Sequence, residues 1–231
     1  MSPARIAVML NTYVPGRMGG MGVFAEQLVQ HLPTGADGFE FVDVYAQGQP
    51  AISSSRPSIH VDAANSGVGA LPRLVNFLYN RLFAGRLRSQ VGAVDLAYYP
   101  LTSVTLGVKP LRGTVVTVHD LQHRELPQNF SWAQKIYRSM TYERAAKRAR
   151  EVVVISNFTA STVERFLGIP RERIRTIYPG IDHEFFTPAA AGSSTSADEF
   201  VYYPARGLPH KNHHVLFAAV AEARKSRPNL R

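Results

Sequence analysis

The 231-residue chain contains no cysteine. That absence removes disulfides, thiolate metal sites, iron–sulfur clusters and a cysteine nucleophile at once, and it suits a reducing cytosol. Long apolar runs are missing too: nothing approaches the ~18 residues of a transmembrane helix. The opening MSPARIAVMLN carries one basic residue and then only five apolar residues, too few for a secretory signal. The expected location is therefore cytoplasmic, with any membrane contact peripheral and on the inner face. The glycosylation sequons at Asn129 and Asn157 carry no meaning there. Acidic residues are scarce, 17 against 26 lysines and arginines, which leaves a net charge of +9. Such an excess favours anionic partners: nucleic acid, phosphorylated ligands or an acidic membrane surface.

What is present is ordinary for a globular protein: 45% apolar and 19% charged residues. The length corresponds to about one and a half domains. Short β-branched runs alternate with helical patterns. Strands are expected at Ile6–Leu10, Phe41–Tyr45, Ile59–Val61, Asp95–Tyr99, Thr114–Val118, Val152–Ser156 and Arg175–Tyr178. Helices are expected at Met21–Leu32, Leu71–Leu87, Ser131–Arg150 and Asn157–Leu167. Alternation of this kind predicts an α/β fold built on a mostly parallel sheet. From Pro188 to Asp198 the sequence turns small and polar, as a linker does, and beyond it Phe200–Tyr203 reads as a strand and His214–Lys225 as a helix. One strand and one helix cannot cover a sheet.

Three places carry chemistry. The turn Gly19-Gly20-Met21-Gly22 precedes the first helix, where free amides and the helix dipole favour phosphate. With Asp43 it imitates a nicotinamide fingerprint. Residues 11–18 intervene between the strand and the turn, however, and Asp43 lies inside its apolar run FVDVYA, both against that reading. A purely structural turn and a ligand-facing turn both remain. His119-Asp120 closes the run Val115–Val118, at a strand's carboxyl end, where open α/β sheets bind ligands. Histidine there serves as base, stabiliser or hydrogen-bond donor, or is simply satisfied by a carbonyl. His119 and His123 are four apart, but they follow a strand rather than lying along one helix, so zinc is disfavoured. Finally, Arg206 and Lys211 flank a loop between the last strand and helix, an arrangement suited to a diphosphate or to plain solvation.

The helix at Leu71–Leu87 places Leu71, Leu74, Val75, Leu78 and Leu82 on one stripe, with Arg73, Arg81 and Arg88 on another face. Ser131–Arg150 interleaves Lys135, Arg138, Arg144, Lys147, Arg148 and Arg150 with Trp132, Tyr137 and Tyr142. Basic amphipathic helices of this kind either lie on anionic membranes or pack their apolar stripe and solvate the rest. Nucleic acid competes for the same charge, although no recognition-helix, zinc-finger or RNA-binding aromatic motif accompanies it.

Taken in order, GGMGVFAEQLVQHL, VVTVHDLQHRELPQNFS, VVVISNFTASTVERFLGIPRERIRTIYPGID and YYPARGLPHKNHHVLFAAV resemble the family-4 retaining glycosyltransferases, enzymes of two Rossmann-like domains in the GT-B arrangement. The resemblance implies a Rossmann-like acceptor-side domain over residues 1–187, a linker at 188–198, and a truncated second Rossmann-like domain over 199–231. It implies sugar transfer, with retention, from a nucleotide-sugar donor to a glycan or lipid-linked envelope polysaccharide. The roles that follow are the donor phosphates for Gly20 and Gly22, the transferred sugar for His119 as catalytic residue, and the diphosphate for Arg206 and Lys211. No cofactor or metal ion is implied beyond the donor itself. The family's glutamate-x7-glutamate motif has no counterpart after the linker. Glu143 with Glu151, and Glu164 with Glu172, share the spacing but precede it. The chain thus reads as a fragment with little activity alone. The alternatives are a non-catalytic half-protein that binds an acceptor or a partner chain, and a basic nucleic-acid-binding protein.

Overall fold

The computed structural model describes residues 3–36, 38–53, 55–64, 70–104, 112–183, 200–205 and 207–231. The chain divides into two compact units, residues 1–179 and 180–231.

The first unit is built on one sheet. Its strands are β1 (Ala4–Met9), β2 (Gly35–Ala36), β3 (Phe39–Ala46), β4 (Ser58–Val61), β5 (Leu96–Tyr99), β6 (Thr114–Val118), β7 (Glu151–Val154) and β8 (Ile174–Thr176), in the order β2-β3-β1-β5-β6-β7-β8 with β4 also on β3. Every pairing is parallel except β2 with β3. Parallel strands are covered on both faces, so they read as near-continuous apolar runs. Alternate residues of each strand accordingly enter different clusters. Ala7, Met9, Val42, Val44, Val116 and Val118 pack on one side with Leu87, Val91, Ala146 and Val163. Val8, Leu10 and Tyr45 pack on the other with Ala25 and Val29.

The helices are α1 (Gly20–His31), α2 (Ala70–Leu82), α3 (Ala84–Val91), the short α4 (Gln122–Glu125), α5 (Trp132–Arg138), α6 (Arg144–Arg148) and α7 (Asn157–Leu167). The expected helix over 131–150 is interrupted by one π-helical turn, Ser139–Glu143. The widened turn buries three consecutive residues, Thr141, Tyr142 and Glu143, which a regular helix at 100° per residue cannot place on one face. The expected helix over 71–87 is likewise two helices, broken at Phe83.

Chain ends of helices follow ordinary capping. Ser131 and Gln134 form a reciprocal capping box on α5, and Ser156 accepts from the Thr159 amide at the start of α7. Helix α7 ends on Gly168, at φ 64° and ψ 28°, whose amide donates to the Glu164 carbonyl at 3.0 Å. A Cβ there would meet nothing within 4 Å, so only backbone strain opposes a side chain. Gly168→Ala is expected to cost about 1 kcal/mol, read as a lower urea midpoint at unchanged m-value.

The second unit holds α8 (His213–Ala223) after a short 3-10 turn, Pro209–Lys211. Phe200–Tyr203, expected as a strand, is irregular instead. The aromatic and β-branched run has the composition of a strand, but its recorded ladder contact is a single bond from the Val201 amide to the Arg231 carbonyl. A strand is defined by its neighbours, and none pairs with this segment among the described residues.

Candidate functional site

Strand order reverses at β1, whose neighbours are β3 on one side and β5 on the other. Open parallel sheets form a crevice at such a switch point, outside the carboxyl ends of the strands. The loops leaving β1, β5 and β6 converge there. The β1 loop leads to the glycine turn, the β5 loop is Pro100–Val104, and the β6 loop begins with His119.

His119 continues the register of β6 on the side of Thr117, facing α1. Its ring meets Phe24 of α1 edge-on, with centroids 4.8 Å apart at 86°. Nε2 donates to the Pro100 carbonyl at 2.8 Å, because a carbonyl can only accept. This fixes the tautomer and leaves Nδ1 as the acceptor. Burial depresses the ring's pKa, partly offset by the Pro100 hydrogen bond and Asp120, so the neutral imidazole is favoured. The backbone is held as well: the His119 amide donates to Thr102 Oγ1 at 3.4 Å, and the Thr159 hydroxyl donates to the His119 carbonyl at 3.3 Å. Thr102 itself sits at φ 62°, a left-handed conformation that a β-branched residue adopts only under constraint.

Behind His119 lies a network that sequence reading did not reveal. Asp120 Oδ1 accepts from Arg138 Nη1 at 3.1 Å, and the guanidinium lies over the rings of Phe130 at 4.7 Å and Tyr142 at 5.1 Å. Glu143, in the π turn, accepts from His123 Nε2 at 2.7 Å and from Arg124 Nε and Nη2 at 2.7 and 2.6 Å. Burial pushes the Glu143 carboxyl up, but the bonds from Arg124 and His123 outweigh it and hold the group below the usual carboxylate range. Burial also lowers the pKa of His123, and its Nδ1 has no hydrogen-bond partner among the described residues. The β5 loop joins the same network through the Ser103 hydroxyl and Tyr137 at 2.8 Å and the Val104 amide and Thr141 carbonyl at 3.2 Å. Positioning of His119 and Asp120 therefore depends on the π turn.

The glycine turn meets this site through Phe24, one helical turn beyond Gly20. Gly19 carries the left-handed φ of 60°. A Cβ on Gly20 would point into open space, whereas one on Gly22 would meet Met18 Cβ at 3.0 Å. Gly20 thus leaves the helix start open, and Gly22 is a packing position. Lys211 lies in the second unit, where its carbonyl accepts from the Tyr203 hydroxyl at 2.8 Å. Arg206 lies outside the described residues. Asp43 is fully buried and bridges Arg56 Nη2 through both carboxylate oxygens, at 2.8 and 3.1 Å, an arrangement that leaves nothing for a ribose. Glu151 pairs with Arg175 at 3.0 Å while Glu143 is committed to His123 and Arg124, so this spaced pair of glutamates belongs to the fold.

Residues 18–185 match the family model described as Glycosyltransferase Family 4. That span holds the glycine turn, His119 and the whole network behind it. The chain belongs to this family. No individually curated protein matches it by sequence. Among solved structures, this family-4 chain is similar to Anabaena Alr3699/HepE in complex with UDP-glucose, at 16% identity and a TM-score of 0.57, covering 94% of this chain and 57% of that one. It is also similar to sucrose-phosphate synthase from Thermosynechococcus elongatus, at 15% identity and a TM-score of 0.57, covering 80% and 50%. These likenesses show the fold of the sheet, a Rossmann-like α/β layer that matches GT-B glycosyltransferase folds. The chain spans 57% and 50% of the lengths of these two structures.

Arg138 and Glu143 reach the site only through the tertiary fold. Arg138 counts as one more basic residue of an amphipathic helix until Asp120 is seen beside it.

Proposed function

We propose that this chain is the acceptor-side lobe, with the opening of the donor lobe, of a retaining glycosyltransferase. It moves a sugar from a nucleotide-diphosphate donor to a glycan or lipid-linked envelope-polysaccharide acceptor. The observation that carries this reading is His119 at the switch-point crevice, its Nε2 committed to the Pro100 carbonyl, beside an open helix start within a family-4 sequence. In the transfer, the bond from the sugar's anomeric carbon to the diphosphate breaks and one to the acceptor oxygen forms. The Nδ1 acceptor of His119 then suits a sugar hydroxyl, and the first-turn amides at Gly20 suit phosphate oxygens. Arg206 and Lys211 take the leaving diphosphate in place of a metal ion, since a fork of donors and a point charge both stabilise developing negative charge. The complexes of HepE with UDP-glucose and with UDP favour a uridine donor. The chain spans 57% and 50% of the two solved structures, and on this reading the 231 residues alone transfer little.

The test is nucleotide release and product analysis with UDP-glucose and other nucleotide sugars, on the chain alone and on the chain continued in frame. Retention is read from the anomeric proton of the product, and an inverted product overturns it. Robust transfer by the 231 residues alone overturns the fragment reading. His119→Ala in the active form is expected to lower kcat/KM about a hundredfold, with the far-UV circular dichroism unchanged.

A further inference from the structure

The stripe Leu71, Val75, Leu78 and Leu82 is spaced i, i+4, i+7, i+11, so it would ordinarily be the packed face of α2. The structure places it outside. These four residues are 65%, 56%, 51% and 78% exposed, whereas Phe77 is the buried residue that joins Tyr137 and Tyr142, with Leu74 half-buried beside them. Helix α5 packs against α2 through this cluster and turns Trp132 and Ile136, one helical turn apart, outward at 71% and 44% exposure. Two packed helices thus present aliphatic and aromatic side chains to solvent, a patch that soluble surfaces ordinarily avoid. At the end of α2, Tyr79 and Phe83 lie ring against ring at 4.6 Å, both partly exposed.

Charge identifies the occupant. No acidic residue occurs between Asp62 and Asp95 or between Glu125 and Glu143, so neither α2 nor α5 carries a negative side chain. Arg81 and Lys135 are exposed on the two helices, and Arg144, Lys147 and Arg148 are exposed on α6, which follows. Apolar side chains with a tryptophan, rimmed by lysine and arginine and free of carboxylates, match the boundary of an anionic bilayer, where acyl chains take the former and headgroups the latter. A nucleic acid offers phosphates but nothing for the exposed leucines.

We infer that the α2–α5 face docks on an anionic lipid membrane, with Leu71, Val75, Leu78, Leu82, Trp132 and Ile136 entering the headgroup boundary. The docked helix α5 is also the one whose Arg138 holds Asp120, next to His119. If the transfer reading is correct, docking presents the crevice to an acceptor held at that surface. Docking itself does not require that reading.

The chain has one tryptophan, and it is Trp132, so the face carries its own reporter. The full 231-residue chain is mixed with vesicles of phosphatidylcholine and phosphatidylglycerol, or of phosphatidylcholine alone. Expected with the anionic vesicles are co-sedimentation, a blue shift of Trp132 emission and quenching by brominated lipid. Binding should weaken at high salt, by about fivefold for each basic residue whose contact is screened. Leu78→Gln/Leu82→Gln, both at exposed positions, should weaken binding more than tenfold with unchanged circular dichroism. No binding at low salt overturns the inference, as does sedimentation without a Trp132 shift, or full binding by the double variant. A Trp132 emission already blue-shifted without lipid, together with a concentration-dependent dimer, overturns it in favour of a second copy of the chain. No sugar transfer by the chain continued in frame, with vesicle binding intact, counts against the transferase reading alone.

Discussion

Asp43→Ala is expected to lower the unfolding free energy by about 4 kcal/mol, enough to leave much of the chain unfolded at ordinary temperature. Asp43 and Arg56 are both 0% exposed at the side chain and meet at 2.8 Å. Burial pushes the Asp43 carboxyl up, and the guanidinium opposes that shift. Removing the carboxylate leaves a cation in the core with no counter-charge. Arg56 is not free to escape, because its Nη1 also donates to the carbonyls of Val29 and Leu32, the latter at 2.9 Å. These are terminal carbonyls of α1, which otherwise lack partners. Replacing both charges by apolar residues of similar volume removes the unpaired cation, so Asp43→Leu/Arg56→Met should be more stable than Asp43→Ala. Equilibrium urea unfolding measures both. A loss under 1 kcal/mol for Asp43→Ala would show that the pair is dispensable.

Glu143→Ala is the second large effect, about 3 kcal/mol. It strips His123 and Arg124 of their common acceptor, and His123 is buried with its other nitrogen already unpartnered among the described residues. Acid should act on the same cluster. His119 and His123 have pKa values depressed by burial, so the unfolded chain binds protons that the folded chain refuses. Their contribution is complete above the ordinary histidine value of about 6.5 and is lost as the pH falls below it toward the folded values. Glu143 is held below its ordinary value, so its contribution is lost at lower pH, below about 4.3. Stability measured against pH should therefore fall in two stages on acidification. In Glu143→Ala the lower stage shrinks, while a curve flat from pH 7 to 5 contradicts the assignment for the histidines.

The sheet was legible because its strands are buried on both faces and announce themselves as apolar runs. Val115–Val118 closing on His119-Asp120 marked the end of β6 for the same reason: a strand end is visible where apolar residues stop and ionisable ones begin. The position of Asp43 inside FVDVYA correctly argued against a ribose contact, yet its partner Arg56 lies in a loop, SSSRPS, with no period to read. The pairs His123–Glu143 and Arg138–Asp120 span about 20 residues, and the first closes on a π turn, a widened turn that no local pattern encodes in advance. Phe200–Tyr203 misled because β-propensity reports a side chain's fit to a sheet and says nothing about whether a neighbour exists. The stripe on α2 misled in a more useful way. Periodicity grouped Leu74 with Leu71, Val75, Leu78 and Leu82, but Leu74 packs beside Phe77 while the other four are exposed, and grouping does not say what lies on the far side. Several of the basic residues behind the net charge of +9, among them Arg56, Arg124 and Arg138, turn out to be consumed inside the fold.

The order of the strands also bears on how the chain is made. One edge of β1 pairs with β3, but the other pairs Ile6 with Leu96 and Val8 with Tyr98, across about ninety residues of intervening chain. At roughly 5 to 20 residues per second, a ribosome takes on the order of 5 to 20 s to supply that partner. Through this interval the nascent chain exposes an unpaired edge of a parallel strand, a template for association with other chains. The seam between β1 and β5 is therefore joined only after residue 99 has been made, well after β1 and β3 are complete. A translational pause between residues 46 and 96 would hold a half-sheet whose open edge is the future floor of the crevice.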